Sequence, residues 1–152
     1  MIRGEGTEVI HGVTIDEVYD FVLDPAQYTK ADTKIIWVTK LADTDDGMIA
    51  LEEGRFFGLR GDVVTRYRWS QDKTRIEVTL VHGLLRSLRA GFDLEAVADG
   101  VRIRHFEEIE MAFGPLGRAI ELAFGWWLSN SVPQEVREIK RLMEAGERGK
   151  GL

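Results

Sequence analysis

His105 and Glu107 stand two residues apart in the run Val101, Ile103, His105, Glu107, Ile109, Met111 and Phe113, which is otherwise apolar at every second position. A strand puts alternate side chains on one face, so both polar groups are expected to point where the isoleucines point. A carboxylate taken out of water needs a partner, and an imidazole is a natural one. Such a pair works as acid and base, anchors a hydroxyl or carbonyl of a bound molecule, or is purely structural. His82 follows a second apolar alternation, Ile76, Val78 and Leu80, but at a strand end, where a rim position is expected. Large aromatics form another constellation: Trp37, Tyr67, Trp69, Phe92, Phe113, Phe124 and Trp127 all fall on expected inward faces. That many rings on one side of a sheet favours an apolar pocket over a solid core. The candidate catalytic groups are therefore His105 and Glu107. The candidate ligand contacts are Trp37, Tyr67, Trp69, His82, Phe92, His105, Glu107, Phe124 and Trp127.

Other chemistries find no support. Gly54, Gly58 and Gly61 resemble a phosphate-binding loop, yet no helix follows to receive the anion, so a bulge and a turn are expected. The acidic run Asp43 to Asp46 has its glycine one place too early for a calcium loop. Histidines at 11, 82 and 105 lack metal-ligand spacing, and the serines lack a nucleophile-elbow context. The chain has no cysteine, which removes thiol nucleophiles, disulfides and thiolate metal sites together. Neither a metal nor a cofactor is expected.

The elements that would position these residues can be read in order. Arg3 to His11 is a weak strand. Thr14 and Glu17 form a capping box that opens a short amphipathic helix, ended by Asp24-Pro25, with another short turn of helix over Ala26 to Ala31. Strands follow over Lys34–Ala42, Met48–Phe57, Asp62–Ser70, Arg75–His82, Leu88–Val97 and Val101–Phe113, spaced closely enough to require an antiparallel meander. A long helix runs from near Pro115 to roughly Glu144. Its apolar stripe rotates by about a third of a turn past Pro133, which predicts a kink or break between Ser129 and Pro133. Residues 146–152 are expected to fray. The whole is a single α+β domain of 152 residues with about seven strands.

A net charge of −6 and a pI near 5.1 argue against nucleic acid as a partner. Arg86, Arg89, Arg102 and Arg104 are interleaved with Asp93, Glu95, Glu108 and Glu110, as on a solvated sheet face. The polar opening Met1-Ile-Arg-Gly-Glu-Gly lacks a leader pattern, and the apolar stretch Ala119 to Leu128 is too short to span a bilayer. A cytoplasmic protein is expected.

Thr14-Ile-Asp-Glu-Val-Tyr-Asp-Phe-Val-Leu-Asp-Pro-Ala-Gln-Tyr28 resembles the first-helix motif of the START/SRPBCC superfamily, of the polyketide cyclase/dehydrase and lipid-transport type. Its mark is a capped helix followed by Asp-Pro-x-x-Tyr, here Asp24, Pro25 and Tyr28. Phe113-Gly-Pro-Leu-Gly-Arg118 leading into the long helix is similar too. The resemblance implies a helix-grip fold: a curved antiparallel sheet wrapped around the terminal helix, with an apolar cavity between them. Where many relatives carry tryptophan after the Asp-Pro-x-x-Tyr segment, this chain has Ala31-Asp32, so the lining is expected to differ there. The family's cavity-lining polar residues vary, and none is carried over. Three functions follow as expectations: a carrier or sensor of a lipid, polyketide or similar hydrophobic molecule; a cyclase or aromatase using His105 and Glu107; and a regulatory module contacted by a partner at Trp126. A transient membrane or protein contact fits the first and third.

Overall fold

Thr14 closes its capping box as expected: its backbone N–H donates to Glu17 Oε2 at 2.8 Å, and Glu17 N–H donates back to Thr14 Oγ1 at 3.3 Å. The computed structural model describes residues 1–56, 58–112 and 114–151; Phe113 lies outside them. The cap opens α1 (Ile15–Leu23), which buries Val18, Phe21, Val22 and Leu23. Asp24 ends α1 and caps α2 (Pro25–Ala31), accepting from Ala26 N–H at 2.9 Å with Pro25 in the first turn.

The strands are β1 (Ile2–His11), β2 (Ile35–Thr44), β3 (Gly47–Phe56), β4 (Leu59–Trp69), β5 (Arg75–His82), β6 (Leu85–Val97) and β7 (Gly100–Met111). They form one antiparallel sheet in the order β1-β7-β6-β5-β4-β3-β2, so the first strand pairs with the last. Register shifts at Ile35/Trp37, Lys40/Ala42, Val64/Thr65 and Leu85/Ser87 add residues to one strand against its neighbour, and such bulges bend a sheet. The outer face carries Arg104 paired to Asp93 and Glu5, Arg102 to Glu95 and Arg89 to Glu77. The interleaved arginines are therefore a neutralised surface and not a basic patch.

The long helix α3 (Gly114–Glu144) runs unbroken through Pro133. Packing holds the chain helical where proline alone predicts a break. A Cβ on Gly6 would lie 2.7 Å from Pro133 Cα, and one on Gly4 would lie 2.6 Å from Leu128 O. Both glycines let β1 and α3 touch backbone to backbone. The rotated stripe serves two clusters: Phe124, Leu128 and Val132 pack over Ile109, while Val136, Ile139, Leu142 and Met143 join the main core with Ile10, Phe21, Val101 and Ile103. The tail expected to fray instead lies along α1, where Lys150 N–H donates to Asp24 Oδ2 and Gly151 N–H to Asp20 O. Gly149 passes so near Asp20 and Phe21 that a Cβ would collide with their backbone.

Candidate functional site

In β7 the alternation holds, and Val101, Ile103, His105, Glu107 and Ile109 are all buried on the inner face. His105 is fixed on every side. Its ring stacks on Phe92 with centroids 4.0 Å apart, Nδ1 donates to Gly91 O at 2.8 Å, and Nε2 lies 3.2 Å from Glu107 Oε1 and 3.3 Å from Glu135 Oε1. Both nitrogens thus face acceptors, the arrangement of a doubly protonated imidazolium. Burial works against that charge, but Glu135 and Glu107 outweigh it and hold the pKa above its ordinary value.

The pair is part of a larger buried cluster assembled from three parts of the chain. The turn after α2 supplies Asp32 and Lys34, whose backbone N–H donates to Asp32 Oδ1 at 2.8 Å. Lys34 Nζ lies 2.9 Å from Asp32, 3.1 Å from Glu107 and 2.7 Å from Glu135. From α3 comes Glu135, which also accepts from Tyr28 Oη of α2 at 2.5 Å. Burial penalises the Lys34 ammonium, yet its three carboxylates overcome this and hold its pKa well above the usual range. Glu107 is likewise opposed by burial, but Lys34 and His105 bring it below the ordinary carboxylate value. Asp32 goes the other way: its burial outweighs Lys34 and raises it. His105, Glu107 and Glu135 each offer a ligand atom within 4.8 Å of the others, as a metal would need. Lys34 already supplies the cation these carboxylates require.

A second polar group stands apart. Glu52 on β3 is 7% exposed and accepts through Oε1 from Thr65 Oγ1 at 2.8 Å and Tyr67 Oη at 2.7 Å. Burial raises its pKa above the carboxylate norm, and raises the Tyr67 phenol well above its own.

Both polar groups border a cavity of about 70 Å³ between the sheet and the α1–α2 pair. Its remaining wall is mostly aliphatic, including Val22, Leu23, Ile35, Val78, Leu88 and Ile109, with Phe92. Gly54 and Gly61, opposite each other in β3 and β4, also lie on the wall, and a Cβ on Gly61 would meet open space. Every strand but β1 contributes. Glu135 of α3 is off the wall and bonds Lys34 and Tyr28, which are on it.

Of the residues singled out from sequence, the fold brings Tyr67, Phe92, His105 and Glu107 to this cavity. Trp69 packs partly buried against the core, edge-on to Tyr19 at 6.2 Å. Phe124 and Trp127 sit in the separate cluster under α3. His82 is exposed at the end of β5, and Trp37 is 45% exposed. Trp37 was expected inward; the bulge between Ile35 and Trp37 inserts a residue, so Val38 takes the inner face instead. Tyr28, Asp32, Lys34, Glu52 and Glu135 were missed. One signal was present for Glu135, which falls within the apolar stripe of Val132, Val136 and Ile139. Glu52 similarly shares the alternation of Met48 and Ala50.

Comparison with known proteins yields one family model, described as polyketide cyclase / dehydrase and lipid transport, over residues 12–132. No curated protein matches in sequence. Among solved structures, TTHA0849 from Thermus thermophilus is similar, with a TM-score of 0.80 at 11% identity over 95% of this chain and 99% of that one. A START superfamily protein from Mycobacterium smegmatis gives 0.69 at 14% identity, covering 94% of each chain. The Zhui aromatase/cyclase from Streptomyces sp. R1128 gives 0.70 at 12% identity, covering 95% of this chain and 97% of that one. Likeness at such identities speaks to the helix-grip fold alone.

Proposed function

Because the chain belongs to the polyketide cyclase / dehydrase and lipid transport family, we propose that it binds and carries a hydrophobic small molecule in the cavity between its sheet and the α1–α2 pair. One observation carries this reading: an aliphatic hollow in the core ends on buried, ordered polar groups. Apolar burial supplies the affinity, at roughly 25 cal/mol per Å² removed from water. The polar groups select which end of the molecule enters. The hollow is small beside the roughly 300–1,000 Å³ typical of pockets for drug-sized ligands, so a lipid or polyketide occupant needs the wall to part. A cytoplasmic carrier fits the cysteine-free sequence. No helix among the described residues is long and apolar enough to cross a membrane.

The carrier reading is favoured over a cyclase for a geometric reason. A proton shuttle needs a ring nitrogen facing substrate, and both nitrogens of His105 are committed within the protein. The buried ring orders the wall, with its nitrogens turned to Gly91, Glu107 and Glu135.

Native mass spectrometry of the protein taken from cells is expected to show a co-purifying mass, and a hydrophobic fluorescent dye is expected to bind the emptied protein. Ala90 of β6 lies on the cavity wall, and Ala90→Trp, which fills the hollow, should abolish dye binding while circular dichroism stays native. Absence of any bound mass, together with dye binding that ignores Ala90→Trp, would remove the cavity from the function.

A further inference from the structure

We propose that the cavity selects an apolar molecule carrying an amine, and rejects the corresponding carboxylic acid. This rests on the carrier reading and names the chemical class of its cargo.

The selection comes from which charges around the cavity are already spent. Lys34 and His105 are the cationic groups on its wall. Lys34 is held by three carboxylates at 2.7–3.1 Å, and His105 donates to Gly91 O and faces Glu107 and Glu135. Neither has a donor to give a ligand carboxylate without releasing a buried acid, and leaving a buried charge unpaired is strongly unfavourable. The acids are in excess. Asp32, Glu107 and Glu135 share those two cations, and Glu52 has no ion-pair partner among the described residues. Its contacts are the neutral hydroxyls of Thr65 and Tyr67.

A ligand ammonium brought beside Glu52 would supply the missing counter-charge and hydrogen-bond donors. A ligand carboxylate there would add a like charge to a site already crowded by Asp32 and Glu107, both of which press electrostatically on Glu52. The raised proton affinity of Glu52 in the empty cavity is consistent with a carboxyl that lacks a cation.

Three probes on one skeleton test the idea: phenethylamine, 2-phenylethanol and phenylacetate, titrated calorimetrically into the purified protein at pH 7. Phenethylamine is expected to bind about tenfold or more tighter than phenylacetate, with the alcohol between them. Glu52→Gln is expected to weaken the amine by about tenfold and to leave the alcohol within about threefold. The series on the unaltered protein decides the matter even if Glu52→Gln does not fold. Phenylacetate binding as well as the amine would overturn the inference while leaving the carrier reading intact. If none of the three binds, the inference falls, and the carrier reading is then judged separately by the dye and Ala90→Trp.

Discussion

Lys34 holds together acids drawn from α2's end, β7 and α3, so its removal takes a shared cation from three buried carboxylates and leaves His105 to serve Glu107 and Glu135 alone. Lys34→Met should cost about 3–5 kcal/mol in urea unfolding, because the methionine fills the space but neutralises nothing. A loss under about 1 kcal/mol would show the cluster adapts by protonation instead. His105 gives a pH signature. Its folded pKa lies above the free value of 6.5, so its charge stabilises fully below that pH and the contribution is lost as pH rises through the folded value. Glu107 has the opposite sign: lowered from 4.5, it stabilises above that pH and loses its contribution as pH falls through its folded value. Asp32 and Glu52 are raised, so they subtract stability as they ionise. The expected outcome is therefore differential: above pH 6.5 the stability of the native protein declines more steeply than that of His105→Gln. Parallel pH curves would contradict an imidazolium at this position. His105 and Glu107 were legible in sequence because strand alternation is local. Tyr28, Lys34 and Glu135 were not, because their meeting depends on elements roughly a hundred residues apart.

At the scale of elements, β1 and α3 form a seam with no side chain between their backbones at Gly4 and Gly6. Gly6→Ala should cost about 1–3 kcal/mol, since its Cβ meets Pro133 backbone that cannot step aside. Gly61→Ala, whose Cβ meets open space, should change stability by less than about 0.5 kcal/mol. Equal losses in thermal unfolding would mean strand propensity, not the seam, sets the cost. The element order, the Thr14 cap and the Asp24-Pro25 stop could be read from sequence because capping boxes, Asp-Pro stops and turn glycines act over a few residues. The fate of Pro133 could not, because the backbone packed against it, which holds α3 helical there, lies on β1. The facing of Trp37 was hidden for a related reason: one inserted residue reverses every later side chain in the strand, and a bulge leaves no clear mark in composition.

Across the whole molecule, α3 packs chiefly on β1 and β7, leaving β2, β3 and β4 without helix cover from that side. Widening the cavity is therefore expected to move the β2–β4 wing and not the seam. Native-state hydrogen exchange should find amides of β2–β4 exchanging about tenfold or more faster than those of β7 and α3, with the gap narrowing when cargo is bound. Uniform protection would place the opening elsewhere. The antiparallel meander was legible from the order of elements and the shortness of their connections, and the curved sheet gripping the last helix from the resemblance carried by Thr14 to Tyr28. The size of the hollow was not, since volume depends on how side chains interlock.

The pairing of β1 with β7 has one more consequence, for synthesis. The strand that leaves the ribosome early must wait for a partner made about a hundred residues later, and for the helix that clamps it after that. Until then a nascent chain holds a β-meander with one raw margin and its oily interior uncovered.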